Sequence, residues 1–123
     1  MTQERLSLGK MGEDLAAAQL KAMKYKILER NYRCPQGEMD IIARDKGSLV
    51  FVEVKTRSTK DFGGPAAAVN ERKQRQLSRV ALMYLNQKKV KDSPARFDVV
   101  AVDLSGPQPG IEVIQNAFEL LYE

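Results

Sequence analysis

The sequence contains no histidine and a single cysteine, Cys34, among its 123 residues. Without histidine, one chain cannot form a Ser-His-Asp triad, a Cys-His pair or a histidine-ligated zinc site. With one cysteine it cannot form an internal disulfide. These absences exclude the histidine-based hydrolases and the disulfide-stabilised secreted folds.

Long apolar runs are also absent. No stretch approaches the ~20 apolar residues of a membrane span, and the first residues, Met1-Thr2-Gln3-Glu4-Arg5, lack the apolar core of a signal peptide. We therefore expect a cytoplasmic protein without a membrane partner. The length predicts one domain over residues 1–123, and the formal charge of +4 is compatible with a polyanionic partner.

Two apolar runs, Met39 to Ala43 and Leu49 to Val54, are separated by the turn-forming residues Asp45, Lys46 and Gly47. This pattern predicts a β-hairpin. Three charged residues interrupt its apolar pattern, namely Asp40, Glu53 and Lys55. Burying carboxylates on a strand is costly unless they have partners.

The register of the hairpin decides whether these charges meet. A two-residue loop at Lys46-Gly47 pairs Asp45 with Ser48 and places Asp40 opposite Glu53, with Cβ atoms ~5 Å apart. A four-residue loop gives the same register. A three-residue loop with Gly47 in the left-handed conformation shifts the pairing by one and separates the carboxylates, unless a bulge corrects it.

Adjacent carboxylates repel each other, and one of their pKa values should rise unless a cation lies between them. Mg²⁺ uses one or two protein carboxylates and completes its shell with water and substrate oxygens. Lys55 lies on the same strand face as Glu53 and could orient a water molecule or neutralise a phosphate. The alternative is an ordinary exposed face of the hairpin with a cross-strand salt bridge.

The first helix is predicted from about Ser7, its cap, to Met23. Glu13 lies at the border of its apolar stripe. It is either an ordinary solvated glutamate or an acid that faces the charged side of the hairpin. The stripe consists of Leu8, Met11, Leu15, Ala18, Ala22 and Met23.

A second helix is predicted from about residues 65–69 to Gln87, with Val69, Leu77, Val80, Ala81, Tyr84 and Leu85 buried. Lys73 aligns with this stripe, so it either extends past the core to water or brings its charge to the carboxylates. Gln76 lies beside Lys73. Arg72, Arg75 and Arg79 share the opposite face, which is most simply a solvated surface.

The remaining segments complete the expected order of elements. A short strand is predicted within Tyr25 to Tyr32 and a turn at Cys34-Pro35-Gln36-Gly37; a polar loop from Thr56 to Pro65 would cover the site. Arg96 to Asp103 predicts a strand in which Asp98 is a third acid near the site or a partner of Arg96. The segment from Ile111 to Ile114 predicts a last strand. A terminal helix is predicted to follow it, with Asn116 as its cap and Leu121 as its end.

Taken together, the chain resembles the restriction-endonuclease-like PD-(D/E)xK nuclease superfamily and, more narrowly, the bacterial YraN-like family. Glu-Met-Asp stands here in place of the Pro-Asp of the superfamily name. The motifs that carry the resemblance are Gly9-Lys10-Met11-Gly12-Glu13, Asn31-Tyr32-Arg33, Gly37-Glu38-Met39-Asp40, Phe51-Val52-Glu53-Val54-Lys55-Thr56-Arg57, Lys73, Arg96-Phe97-Asp98 and Asn116-Ala117-Phe118.

The resemblance implies a single α/β domain with a central mixed β-sheet flanked by helices. It implies Asp40 and Glu53 as ligands of Mg²⁺ or Mn²⁺, Lys55 as the catalytic lysine, and Glu13 as the helix acid of Holliday-junction-resolvase-like members. We expect Arg57, Lys73 and Gln76 to contact nucleic acid.

The expected function is metal-dependent hydrolysis of phosphodiester bonds in DNA, in preference to RNA, with branched or damaged structures as the substrate class. By analogy with resolvases, a homodimer is also expected. The alternatives are a catalytically inactive nucleic-acid-binding or adaptor protein with the same fold, and a plain interaction module.

Overall fold

A computed structural model describes residues 3–58 and 69–121. Its elements are two helices and five strands in the order α1 (Gln3–Ala22), β1 (Lys26–Cys34), β2 (Gly37–Asp45), β3 (Ser48–Arg57), α2 (Glu71–Gln87), β4 (Ala95–Asp103) and β5 (Gly110–Phe118).

The five strands form one sheet in the order β1-β2-β3-β4-β5. Strands β3 and β4 are parallel, and the other neighbours are antiparallel. The connection between β3 and β4 contains α2, because parallel neighbours require a crossover. Residues of α1 and α2 pack in two separate apolar clusters, which include alternate residues of β3. The predicted α/β architecture, a mixed sheet flanked by helices, is confirmed.

The two-residue hairpin loop is confirmed. Asp45 pairs with Ser48, and the ladder continues to Ile41 and Val52. Lys46 and Gly47 both have positive φ angles, 50° and 88°, as a type I′ turn requires. This turn matches the right-handed twist of the strands and fixes the register on which the site depends.

Helix α2 has the predicted buried face and ends at Gln87 as predicted, but it begins at Glu71, later than the predicted start at residues 65–69. It begins after Asn70, whose side chain accepts a hydrogen bond from the backbone N–H of Lys73 at 2.9 Å, which satisfies one of the unpaired N–H groups of the first turn. Its buried residues are Leu77, Ser78, Val80, Ala81 and Tyr84.

Helix α1 differs from its prediction. It begins by Gln3, so Ser7 is within the helix and is not its cap. Small residues, Gly12, Ala16 and Ala17, face the sheet together with Leu20, whereas Met11 is 50% exposed. The predicted apolar stripe was right for Leu15 and Met23, which pack against the cluster under α1, and wrong for Met11, Ala18 and Ala22, which are exposed. The helix lies close to the sheet, where small side chains fit better than long ones.

Two further predictions were wrong. Asn116 does not cap a helix, since it belongs to β5, where its φ angle is 52° and its backbone N–H donates to Asp98. Thr56 and Arg57 end β3 and do not begin a loop. Ser58 follows the strand as a bend, and the rest of the predicted loop over the site, residues 59–65, lies outside the described residues.

None of the helices described here combines the length and the apolar character that crossing a membrane requires.

Candidate active site

The candidate site lies where β2 and β3 stop pairing. The ladder ends at Ile41 and Val52, one step before the predicted pair of Asp40 and Glu53. Beyond that point the Asp40 carboxylate accepts a hydrogen bond from the backbone N–H of Val54 at 2.8 Å. A side chain therefore satisfies a strand N–H at the point where the ladder with β2 has ended.

The side-chain alternation of β2 is interrupted at the same place. Met39 packs in the cluster of α2, and Ile41 packs in the cluster of α1, although a regular strand would direct residues two apart to the same face. The irregularity lies at Asp40, so its carboxylate is directed toward β3.

The carboxyl groups of Asp40 and Glu53 lie close enough to interact directly. Glu53 is 6% exposed. Burial, followed by the charge of Glu53, raises the pKa of Asp40 from 3.8 to about 7 against the opposing hydrogen bond from Val54. The charge of Glu13 raises it further. The structure thus brings together the two acids that the sequence predicted as a pair.

Two lysines from different elements reach the same oxygen of Glu53. The Nζ of Lys55, on β3, lies 3.8 Å from Glu53 Oε2, and the Nζ of Lys73, in the first turn of α2, lies 3.6 Å from it. Both lysine side chains are about one third exposed, at 34% and 36%. Of the two alternatives for Lys73, the structure shows the second, in which its ammonium group lies beside a carboxylate of the pair.

Glu13 approaches the pair from α1. Its Oε1 accepts hydrogen bonds from Arg30 Nε at 3.0 Å and from Asn31 Nδ2 at 2.9 Å. The preceding residue, Gly12, faces Thr56 of β3 so closely that any Cβ there would overlap the Thr56 side chain. The close approach of helix and strand explains why Glu13 acts electrostatically on Asp40.

Arg57 and Gln76 do not join this cluster through the contacts seen here. Arg57 Nη2 lies 3.0 Å from an Asp103 carboxylate oxygen, and the amide of Gln76 donates to the carbonyl of Gln36 at 3.4 Å. Their predicted role in nucleic-acid binding stays a prediction.

Asp98 is a partner of Arg96, as one of the two alternatives predicted. It is fully buried and accepts hydrogen bonds from Arg96 Nε at 2.9 Å and Tyr25 Oη at 2.8 Å. Arg96 also bridges to Asp45 at 2.9 Å. The network extends along the sheet from Asp45, next to the hairpin turn, to Asp98, which is in register with Val52 of β3.

Sequence reasoning missed the role of Arg30 and Asn31 in holding Glu13. Asn31 belongs to a motif that carried the resemblance, and its φ angle of 55° is unusual for a strand residue. Arg30 looks in the sequence like any charged residue of an edge strand, so nothing distinguished it.

The donor set suits a hard divalent cation. Two adjacent carboxylates match the one or two that Mg²⁺ takes from a protein. Burial and then the charge of Glu53 raise the pKa of Asp40, and a cation beside the pair would oppose that rise. In the described part of the chain no group of three or more histidine, cysteine, aspartate or glutamate side chains is arranged to hold a metal. A metal at this site would therefore depend on the pair and on water or substrate oxygens.

Similar proteins match nearly the whole length of the chain. The family model described as "Uncharacterised protein family UPF0102" matches residues 12–102. A UPF0102 protein of Geobacter metallireducens is 52% identical over 122 residues, covering 99% of this chain and 100% of the relative. One from Geobacter sulfurreducens is 55% identical over 116 residues, covering 94% and 91%, and one from Syntrophus aciditrophicus is 52% identical over 122 residues, covering 99% and 95%.

The matched segment includes both hairpin acids, both lysines that contact Glu53, and Glu13. The extent of the match and the identity of the relatives leave one conclusion, that the chain belongs to the UPF0102 family.

Proposed function

We propose that this protein is a divalent-metal-dependent endonuclease of the restriction-endonuclease-like superfamily, acting on DNA. The observation that carries the proposal is the contact between Asp40 and Glu53 with two lysines on one oxygen of Glu53. Phosphodiester hydrolysis needs positive charge around a phosphate and an activated water molecule, and this arrangement offers the side chains for both.

Asp40 and Glu53 would hold the metal, Mg²⁺ or Mn²⁺. When bound, a divalent ion supplies a Lewis acid for the phosphate and lowers the pKa of its water. Glu53 is buried and Asp40 is half-buried, which keeps competing solvent away and strengthens their interaction with any cation.

The two lysines have different expected roles because different elements carry them. Lys55 is on the rigid strand β3, next to the acids, where its ammonium can orient a water molecule. Lys73 comes from α2. Its ammonium group can leave the Glu53 carboxylate and bind a phosphate oxygen of the substrate instead, since the carboxylate and the phosphate both carry negative charge. Glu13, held by Arg30 and Asn31, adds negative potential at Asp40 and so favours a bound cation.

The first test measures Mn²⁺ binding by calorimetry and cleavage of duplex, flap and four-way-junction DNA. We expect Asp40→Ala to abolish both. Lys55→Met should reduce the turnover number by at least ~100-fold, because it removes the ammonium group that orients the water molecule or neutralises charge on the phosphate. Glu112→Ala, which removes an exposed acid from β5, is the matched control and should behave like the wild type.

If the wild-type protein cleaves no substrate better than Asp40→Ala does with either metal, the enzymatic proposal is wrong.

A second candidate is a nucleic-acid-binding or adaptor protein without catalysis. It is favoured by the ion pairs that already compensate Glu53 with two ammonium groups. This candidate predicts DNA binding that weakens steeply with salt, no Mn²⁺ binding, and no effect of Asp40→Ala on affinity.

A further inference from the structure

An open depression of about 480 Å³ lies on the outer side of α2 and is lined, among the residues that the structure describes, by Glu71, Arg72, Arg75 and Arg79. All four lining residues are charged, and all four are exposed. We call this feature the basic depression. It is distinct from the carboxylate pair, and none of its residues served in the proposed mechanism.

We propose that the basic depression binds backbone phosphates of the nucleic acid on which the candidate site acts. The proposal rests on the proposed function for the identity of the ligand, but it concerns binding and not cleavage.

The composition of the depression selects a phosphate ligand. Three guanidinium groups and one carboxylate give it a formal charge of +2 (three positive minus one negative). Guanidinium groups present planar pairs of N–H donors that match two oxygens of one phosphate. No apolar residue lines the described part of the depression, which argues against an apolar ligand.

The position of the depression links it to the site. Arg72 directly precedes Lys73, whose ammonium lies 3.6 Å from Glu53. From Arg72 to Arg79 the helix rises ~10 Å, at ~1.5 Å per residue. The arginines therefore form a row on the outer face of α2 that begins in the turn carrying Lys73 and continues along the helix.

One ion pair within the depression makes a specific test possible. Arg75 Nη2 lies 2.6 Å from Glu71 Oε1, and both side chains are more than half exposed, at 52% and 70%. This carboxylate competes with a phosphate for Arg75. Removing its charge should therefore tighten nucleic-acid binding.

The experiment measures fluorescence anisotropy of labelled duplex, single-stranded and four-way-junction DNA in EDTA, across a range of salt concentrations. We expect R72Q/R75Q/R79Q to bind at least ~10-fold more weakly at ~100 mM salt and to lower the slope of log K against log salt by ~2 to 3, since each lost phosphate contact changes it by ~0.9. E71Q should bind ~2- to 5-fold more tightly, as expected for relief of a competing ion pair.

The matched control is K21Q/K24Q/K26Q, which removes the same number of charges from exposed lysines between the end of α1 and the start of β1. It should weaken binding by less than ~3-fold, through the general field of the protein alone. Thermal unfolding of each variant verifies that the fold is retained, and the single variants R72Q and R75Q replace the triple variant if it is unstable.

Equal losses in the arginine and lysine variants, or unchanged binding by E71Q, would overturn the proposal. Wild-type protein that binds no DNA in any form would also overturn it. Loss of binding in the arginine variant without any cleavage by the wild type would support the basic depression and contradict the nuclease proposal, so the two failures remain distinguishable.

Discussion

At the scale of single residues, Asp40 is an acid in surroundings that oppose its charge. It is half-buried, it contacts Glu53, and its pKa is raised to about 7. The folded protein therefore holds a proton on this group over a pH range in which the unfolded chain has lost it. Such a position lowers stability at every pH at which the group must ionise.

Replacement of Asp40 by asparagine should stabilise the metal-free protein above pH 7. The cost of ionising a group with a raised pKa is absent below the unfolded value of 3.8 and complete above about 7. Because one pKa unit corresponds to ~1.4 kcal/mol and the pair is tightly coupled, we expect a gain of about 1–3 kcal/mol at pH 8 and little change at pH 4. Urea unfolding at both pH values measures it.

Asp14→Asn provides the control with the opposite sign. Hydrogen bonds from Arg30 and Lys10 lower the pKa of Asp14 from 3.8, so its charge stabilises the fold above that value and this contribution disappears as the pH falls. The Asp14→Asn variant should be slightly less stable than the wild type at pH 8. A loss of stability in the Asp40→Asn variant at pH 8 would contradict the interpretation of Asp40.

At the scale of elements, the approach of α1 to β3 brings the helix acid to the site. Gly12 permits it, because a Cβ at this position would lie 2.9 Å from the Cβ of Thr56 and would overlap its Oγ1. Gly9 lies nearly one turn earlier, and among the described residues, apart from its chain neighbours and the backbone of α1, no heavy atom is within 4 Å of the point that a Cβ would occupy there. The close packing of the helix on β3 therefore requires a glycine at position 12 but not at position 9.

Alanine substitutions at these glycines should have opposite effects. Gly12→Ala should destabilise the protein by about 1–3 kcal/mol through overpacking and should shift Glu13 away from Asp40. Gly9→Ala should stabilise it by up to about 1 kcal/mol, because alanine is the better helix former. Thermal unfolding of both variants tests the predicted stability changes, and their Mn²⁺ affinity tests whether Glu13 has moved. Equal stability changes would show that the helix does not approach β3 as described.

At the scale of the whole molecule, a buried polar network joins the ends of distant segments. Asp98 of β4 accepts hydrogen bonds from Tyr25, which follows α1, and from the backbone of Asn116 in β5. Arg96 connects Asp98 to Asp45 at the end of β2. The network therefore joins β2, β4, β5 and the residue that follows α1.

Removal of the central cation of this network should be strongly destabilising. Arg96→Met leaves the fully buried Asp98 without its ion-pair partner, and breaking a buried pair in this way costs about 3–5 kcal/mol. Arg33→Met makes the same chemical change where the side chain is 77% exposed, and it should change stability by less than about 0.5 kcal/mol. Guanidinium unfolding measures both; similar losses would show that Asp98 does not depend on Arg96.

Local sequence was sufficient to locate the strands of the hairpin and the buried face of the second helix. Alternation of apolar residues has a period of two in strands, but the sequence left loops of two, three or four residues open, and the structure selected the two-residue turn at Lys46-Gly47. The alignment of Lys73 with Leu77 and Tyr84 followed in the same way from the helical period.

Local sequence was insufficient for α1 and the C-terminal strand. Apolar periodicity predicted that Met11, and not Gly12 or Ala16, would face the sheet. The pattern reflects the hydrophobicity of the side chains and contains no information on how closely the helix packs. Asn116 was predicted as a helix cap, since asparagine favours caps, but its backbone N–H binds Asp98, which is 18 residues away in sequence. Long-range pairing overrode the local preference.

The sequence by itself determined which residues form the hairpin and that Asp40, Glu53 and Lys55 belong to one segment, because turn geometry and strand alternation act over a few residues. Only the tertiary structure decided that β2 leaves β3 at Asp40, that Lys73 reaches the Glu53 oxygen already contacted by Lys55, and that Glu13 faces Asp40 from α1. These contacts join residues far apart in the chain, and their positions depend on how closely whole elements pack.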